Sequence, residues 1–574
     1  MSHIDFTTAI GPLLLAGFVV AVVLRGLWVR RTRARSTTAD LAATWGKFVP
    51  RERDMSSIAA LFRQRPITEE EGAYEVSDRA WRDLGMDDVF ARIDRCASAL
   101  GQQLLYRYLR APRLTLRPLL DLDRRVSAFV RSPEVRTQSF DALRRLSGSG
   151  ANSLVRIVHG PSARIPRGAS LFPLATMATL FAAALSFVQP LAIIALLALV
   201  VANIMIRVSV FRDLSSHVEG LRQVARMIEV ARELARIDDP ALTTEIKALR
   251  SALGSLGSRR VTVAWLTLDR LRLDDASAMV VEYANVFLLL DVNAYVKELV
   301  FAREYRATLA TLFEKIAELD VAMCIANYRT GEAYLARPEL SDREDAFMAL
   351  GVRHPLVADA VPNDATLAKS GYLVTGSNMA GKSTFLKAVA LQAVLAQTIF
   401  ATTSRRYKAP FLRVQTLVEI ADDLLASRSH FRVEAEVARS MLDTSKSGKC
   451  LCVVDELFRG TNTADRVAAG AAFLRALHRS GAHVIAATHD RELLGLLRSD
   501  LEPHHFSEKV EEGELRFDYV LRKGAAAPRN ALAVLRLVGF PDAVLEEADC
   551  LAQQIEGDTS RGAPRFPMRR VSPG

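Results

Sequence analysis

Between Gly168 and Ile206 the chain has no Asp, Glu, Lys or Arg, although 24% of the whole sequence is charged. So long an absence is not the mark of an ordinary soluble enzyme. Cysteine is scarce too. Cys96, Cys324, Cys450, Cys452 and Cys550 are odd in number, scattered and without zinc-finger spacing. They exclude a disulfide framework or a structural zinc and favour a reducing compartment. Aromatic residues make up only 7%, and the abundance of Ala, Leu and Arg in their place favours helix. Negative charge falls short of positive, with 65 Asp+Glu against 75 Lys+Arg and a net +10. That balance admits nucleic acid or an anionic membrane as partner without choosing between them. With half the residues hydrophobic the chain is not disordered, and 574 residues suggest about three to five structural units.

The charge-free stretch is about twice the ~20 residues that one membrane-spanning helix needs. Gln189-Pro190 at its middle predicts a helical hairpin, about 169–188 and 191–208. A pair of buried core helices is the plainer alternative. A further apolar run, Phe6–Leu24, is followed by Arg25, Arg30, Arg31, Arg33 and Arg35. Charge after the apolar run is the reverse of a cleavable signal peptide and predicts an uncleaved anchor. By the positive-inside rule, these arginines and Arg164, Arg167, Arg207 and Arg212 place the soluble parts in the cytoplasm of a bacterium, beneath its inner membrane.

Residues 78–147, 213–238 and 276–336 read as helices, with Leu221, Val224, Ile228, Ala231 and Leu234 forming one stripe. From Gly351 short apolar strands alternate with helices, at Tyr372–Thr375, Leu451–Val454 and His483–Ala487. The pattern predicts a parallel sheet with ligands at the carboxyl ends of its strands.

The first of these strands runs into Gly376-Ser377-Asn378-Met379-Ala380-Gly381-Lys382-Ser383-Thr384 and an apolar helix. This is G-x-x-x-x-G-K-[ST] in a strand-to-helix context. Backbone N–H groups would wrap the phosphates of ATP, Lys382 would reach the β- and γ-phosphates, and Ser383 would bind Mg2+. The second strand ends in Asp455 and Glu456, where Asp455 would hold Mg2+ through water and Glu456 would deprotonate the attacking water. Two adjacent carboxylates favour ATP hydrolysis of the ABC type over a Ras-like GTPase. Cys450 and Cys452 alternate with larger apolar residues and read as core. The third strand ends in Thr488-His489-Asp490, placing His489 to sense the γ-phosphate. Lys382, Glu456 and His489 are therefore the candidate catalytic residues.

Together these motifs resemble the MutS family of ATPases. Thr375–Thr384 is similar to its T-G-x-N-M-x-G-K-S-T, and Asp455–Thr463 to its D-E-x-x-R-G-T-x-T. Thr488-His489 is similar to its A-T-H switch, and Arg353-His354-Pro355 to the R-H-P that opens its ATPase domain. Asp422-Asp423-Leu424 with Ser427–Phe431 and Val433-Glu434 resembles its signature loop. The resemblance implies that Ser429 approaches the γ-phosphate in the opposite subunit, so a homodimer is implied, and Gly539-Phe540-Pro541 with 542–548 resembles the dimerisation element. Upstream, Leu100–Leu105, Leu109–Pro112 and Arg124-Arg125-Val126 resemble the start of the MutS core, and Ala317–Val321 its lever helix.

Two departures stand out. The residues before 78 hold an anchor and a linker where mismatch-finding members carry a Phe-x-Glu wedge domain, and Phe458 stands where DNA-repair members usually have Gly. The expected organisation is an N-terminal transmembrane anchor over 1–35, a linker over 36–77, a helical core over 78–167, a transmembrane hairpin over 168–208, and a second core half with the lever over 209–345. An α/β P-loop NTPase domain of the ABC/MutS type follows over 346–556, then a disordered basic tail over 557–574. The resemblance implies mismatched-DNA binding and mismatch repair. The alternatives are a membrane-associated ATP-driven module that binds DNA non-specifically or not at all, and an ABC-type transporter.

Overall fold

The computed structural model describes residues 41–161, 164–257, 275–367, 371–418, 430–458, 461–511, 514–525, 535–536 and 539–561. The anchor expected over 1–35, Ser429 and most of its loop, and residues 562–574 lie outside them. The chain forms two compact units, one built chiefly from residues up to Arg337 with Val394–Thr402, the other from Pro338–Ala393 and Thr403 onward.

The first unit is helical. Its centre is α8 (Arg306–Gly331), which packs against α1 (Ala99–Arg110) and α2 (Leu116–Arg131). From Ile316 to Ala326 every residue of α8 is buried, so this stretch is enclosed on all sides rather than amphipathic. Of the two carboxylates in this stretch, Glu318 pairs with Lys315 and Arg125, while Asp320 is fully buried and accepts from Ala97 N at 2.9 Å, Ser98 N at 2.7 Å and Ser98 Oγ. Ser98 also caps α1 by accepting from Gly101 N. Gly101 allows this approach, because a Cβ there would lie 2.2 Å from Asp320 Oδ2. The two segments singled out by sequence, Leu100–Leu105 and Ala317–Val321, thus meet at one contact.

Two helices of this unit, α3 (Phe172–Ser186) and α4 (Ala192–Leu234), are joined by a turn at Gln189-Pro190. The stretches Ala169–Ser186 and Ala192–Arg212 are long and apolar enough to cross a membrane, and only 22% and 11% of their most apolar windows are buried. Phe181, Phe187, Ile194, Leu197 and Met205 are all exposed. The second helix does not stop near residue 208. It continues unbroken to Leu234, 43 residues in all or about 65 Å. Its later part changes character, since Leu221, Val224, Ile228, Ala231 and Leu234 are all buried. The unit also contains α5 (Thr243–Ser255), α6 (Asp275–Leu288) and α7 (Leu290–Glu304). Among the described residues one cluster has metal-ligand proximity, Asp94, Cys96 and Cys324. Asp94 already pairs with Arg51 and Arg53, and the two thiols are buried, which makes it a structural ion pair beside core cysteines.

The second unit is α/β. Its strands are β1 (Glu339–Leu340), β2 (Phe347–Val352), β3 (Asn363–Leu367), β4 (Gly371–Thr375), β5 (Arg406–Ala409), β6 (Arg413–Leu417), β7 (Cys450–Asp455), β8 (His483–Ala487), β9 (Leu501–His505), β10 (Glu508–Glu511), β11 (Glu514–Phe517) and β12 (Arg522–Lys523). The main sheet has the order β12-β9-β4-β8-β7-β6, parallel except for the edge strand β12. Its central strands β4, β7 and β8 are buried at every position, as a parallel sheet requires. The helix α9 (Lys382–Thr398) lies in this unit as far as Ala393, α10 (His430–Ser445) and α11 (Thr463–Arg479) belong to it, and α12 (Asp542–Arg561) closes the described chain. Cys450 and Cys452 lie in the core between the sheet and α10 and α11, and burial pushes both thiols up. Helix α12 extends to Arg561, past the point where sequence suggests the tail begins.

Candidate nucleotide site

Strands β4, β7 and β8 lie side by side, so their carboxyl ends bring three loops together. Val374 pairs with Ala487 and Asp455 with Ala487, which sets the phosphate-type loop, the acidic pair and the histidine loop at one level. Thr488 N donates to Val374 O at 3.0 Å and Glu456 N to Ala487 O at 3.0 Å, tying both neighbouring loops to the sheet.

The loop Gly376–Gly381 turns between β4 and α9 with positive φ at both glycines, +139° and +96°. A side chain at Gly376 would meet Phe506 O at 2.8 Å. Lys382, at the first turn of α9, is 1% exposed. Its Nζ donates to Gly376 O at 2.6 Å and Ser377 O at 3.0 Å and lies 3.2 Å from His489 Nε2. The ammonium is thus held inside the loop rather than in solvent.

Ser383 Oγ donates to Asp455 Oδ2. A hydroxyl and a carboxylate in contact at the end of the loop form a hard-oxygen donor set of the kind Mg2+ takes. Glu456, next in sequence, has φ of +50°, a left-handed conformation, and its carboxylate reaches the loop after β8. There Glu456 Oε1 lies 2.8 Å from His489 Nε2. The loop carrying His489 is braced from α11, where Arg466 holds Asp490 with bonds of 2.9 and 2.7 Å. Of the candidate residues, Gly376 to Thr384, Asp455, Glu456 and His489 therefore share one end of the sheet. Ser429 lies outside the described residues.

Phe458 also has a left-handed backbone, with φ of +57°. That conformation explains why glycine suits the position in the resembling family. Here the ring is buried and packs on Phe431 and Phe473 at 5.7 and 6.2 Å. Phe458 N donates to the buried Glu434 of α10, which fixes the turn after the acidic pair.

Three contributors are not marked by any motif. Glu508 of β10 accepts from Ser377 Oγ in the loop. Tyr519, half exposed and with φ of +54°, lies over the loop, its Cδ1 3.1 Å from where a Cβ on Gly381 would be. Asn363 of β3 holds this segment, donating to Tyr519 O at 2.9 Å and accepting from Leu521 N at 2.7 Å. Their distance along the chain hides them from spacing arguments. The one available signal was an isolated tyrosine in the β-rich stretch after the histidine loop.

Residues 372–556 match the family model described as MutS domain V, an ATPase-type α/β domain. The chain is 30% identical over 305 residues to the DNA mismatch repair protein MutS of Bacillus licheniformis, covering 51% of this chain and 34% of that one. It is 35% identical over 254 residues to the protein of the same name from Thermus thermophilus, covering 44% and 31%. With the Geobacillus thermodenitrificans protein it shares 33% identity over 304 residues, covering 51% and 33%. The chain thus spans about a third of the length of the curated relatives it matches. Residues 372–556 are thus similar to MutS domain V, and about half of the chain is similar to part of the MutS proteins.

Proposed function

We propose that this chain binds and hydrolyses ATP with Mg2+, as a homodimer anchored in a membrane, with its ATPase domain in the cytoplasm. The observation that carries the nucleotide reading is the meeting of Lys382, the Ser383–Asp455 pair and the Glu456–His489 pair at one end of the sheet. Ser383 and Asp455 would hold Mg2+, which neutralises phosphate charge and orients the γ-phosphoryl group. The loop N–H groups and the N-terminus of α9 bind the phosphates. Lys382 leaves the loop carbonyls for the β- and γ-phosphates, and Glu456 orients the water and takes its proton. His489 reports the γ-phosphate to Glu456, and Tyr519 offers its ring to the purine. Ser429 completes the site from the opposite subunit, and Phe540, Val544 and Leu551, all exposed near or on α12, supply apolar surface for the dimer.

A DNA role, including mismatch repair, follows from the relatives' name. The exposed apolar hairpin α3–α4 favours a second reading, a membrane-associated module that grips DNA through backbone phosphates or not at all. A transporter is the third. Purified full-length protein in nanodiscs tests them. ATP turnover lost in Lys382→Ala, with binding kept and turnover lost in Glu456→Gln, is expected; no nucleotide binding by the wild type overturns the ATPase reading. Turnover stimulated by mismatched over matched duplex supports repair, equal stimulation or none supports the second reading, and substrate movement across proteoliposomes the third.

A further inference from the structure

Resting on the membrane reading of the α3–α4 hairpin, we infer that the corner between α6 and α7 is a further membrane-inserted element, a re-entrant wedge that dips into the cytoplasmic leaflet beside the hairpin. The corner is sharp because Leu289, between the two helices, takes a left-handed φ of +50° and is fully buried. A left-handed turn at a leucine is sterically disfavoured. It also strands carbonyls at the end of α6, which in a bilayer must find protein donors.

The hairpin supplies those donors. Thr176 Oγ1 of α3 donates to Leu288 O at 2.6 Å, and Asn203 Nδ2 of α4 donates to Phe287 O at 2.6 Å. Asn203 also donates to Thr179 Oγ1 at 3.0 Å, and Asn293 of α7 to Thr176 Oγ1 at 3.0 Å. Thr176, Thr179 and Asn203 are polar side chains within the apolar spans of α3 and α4, and each is used at this corner. Small polar side chains at close helix contacts are how membrane bundles bind one another.

The depth follows from the ion pairs. Arg207 of α4 pairs with Glu282 of α6 at 2.9 Å and Asp291 of α7 at 2.8 Å. This cluster sits where the arginines mark the cytoplasmic edge, and both carboxylates flank the corner. Asn203 is one turn further into the apolar span, about 6 Å beyond Arg207. The corner that Asn203 caps therefore reaches past the ionic layer into the hydrocarbon. Its outer face suits that depth, since Tyr283 and Phe287 are exposed and stack at 5.8 Å. The geometry gives a wedge held by hydrogen bonds inside and presenting aromatic rings to lipid outside.

Depth-dependent quenching tests the wedge. Cys550 is the exposed cysteine and is replaced by Ser, while the buried thiols stay. Full-length protein carrying Phe287→Cys or, separately, Tyr283→Cys is labelled with a fluorophore. It is reconstituted into vesicles of anionic and zwitterionic lipid bearing nitroxides on the headgroup or within the acyl chain. Leu197→Cys on the hairpin and Tyr334→Cys outside it are the references. At Phe287 the acyl-chain nitroxide should quench at least twice as strongly as it does at Tyr334, with Tyr283 nearer the headgroup pattern. Quenching at Leu197 with Phe287 and Tyr283 both matching Tyr334 overturns the wedge alone. No acyl-chain quenching at Leu197 overturns the membrane reading and the wedge with it. Thr176→Val with Asn203→Leu, which removes the donors, should shift the Phe287 probe toward the headgroup; an unchanged depth overturns the capping argument.

Discussion

His489 Nε2 stands 2.8 Å from Glu456 Oε1 and 3.2 Å from Lys382 Nζ. One ring nitrogen cannot serve both partners in the same state. Carrying a proton, it donates to Glu456; without one, it accepts from Lys382. Phosphates that draw Lys382 away leave the nitrogen to Glu456. The geometry thus links occupancy of the loop to the orientation of the candidate base. In His489→Ala, ATP binding should stay within about threefold of wild type while turnover falls by about 10²-fold or more. Equilibrium binding and single-turnover hydrolysis separate the two effects, and equal losses in both would contradict the link.

Tyr519 lies on the loop backbone at Gly381 and is held by Asn363 through main-chain bonds alone. Removing its ring therefore leaves its segment anchored. Tyr519→Ala is expected to weaken ATP binding about tenfold, the equivalent of roughly 1.4 kcal/mol for one aromatic contact. Tyr519→Phe should bind as wild type does. Titration with a fluorescent ATP analogue reads the difference.

At Gly101 a single methyl group would collide with the Asp320 carboxylate. The contact is buried on both sides and the carboxylate is bonded to three donors, so neither partner can yield cheaply. Gly101→Ala should destabilise the helical unit by about 1–3 kcal/mol. Denaturant unfolding of the full chain measures it, and an unchanged midpoint would refute the close approach.

Phe458 occupies a left-handed position whose strain is about 1–2 kcal/mol. Its ring is buried against Phe431 and Phe473. Because burial of an aromatic ring is worth more than the strain, Phe458→Ala should lower stability by about 3–5 kcal/mol. Phe458→Gly should cost less than Phe458→Ala, since glycine relieves the backbone. Thermal melts of the two variants give the order directly, and the reverse order would show that strain is not relieved.

His483, at the start of β8, is buried, and burial with Lys449 nearby pushes its pKa down to about 4. The folded state therefore resists its protonation while the unfolded chain accepts a proton near 6.5. With the folded value the lower one, stability is full above pH 6.5 and falls as pH drops toward 4. Asp320 runs the other way. Burial raises its carboxyl to about 6 despite three hydrogen bonds, so its contribution is full below about pH 4 and is lost as pH rises through 6. In His483→Gln the acid-side loss of stability between pH 6.5 and 4 should flatten. Unfolding midpoints across that range test the assignment, and an unaltered slope would refute it.

Local sequence determined the parts whose bonding is local. The glycines and lysine of the loop, the strands ending in Asp455-Glu456 and His489, the apolar stripe from Leu221 to Leu234 and the charge-free run with its central Gln-Pro each express a short-range rule of periodicity or backbone freedom. Tertiary structure alone decided the rest. It set Glu508, Tyr519 and Asn363 on the loop, seated Gly101 on Asp320, and folded the α6–α7 corner onto Thr176 and Asn203. No spacing records these contacts, because each joins segments far apart in the chain. Helix α4 shows the limit most plainly. Its composition changes from charge-free to amphipathic near Arg207, which suggests a boundary, yet i→i−4 hydrogen bonding ignores that change and lets the same helix run through both regimes.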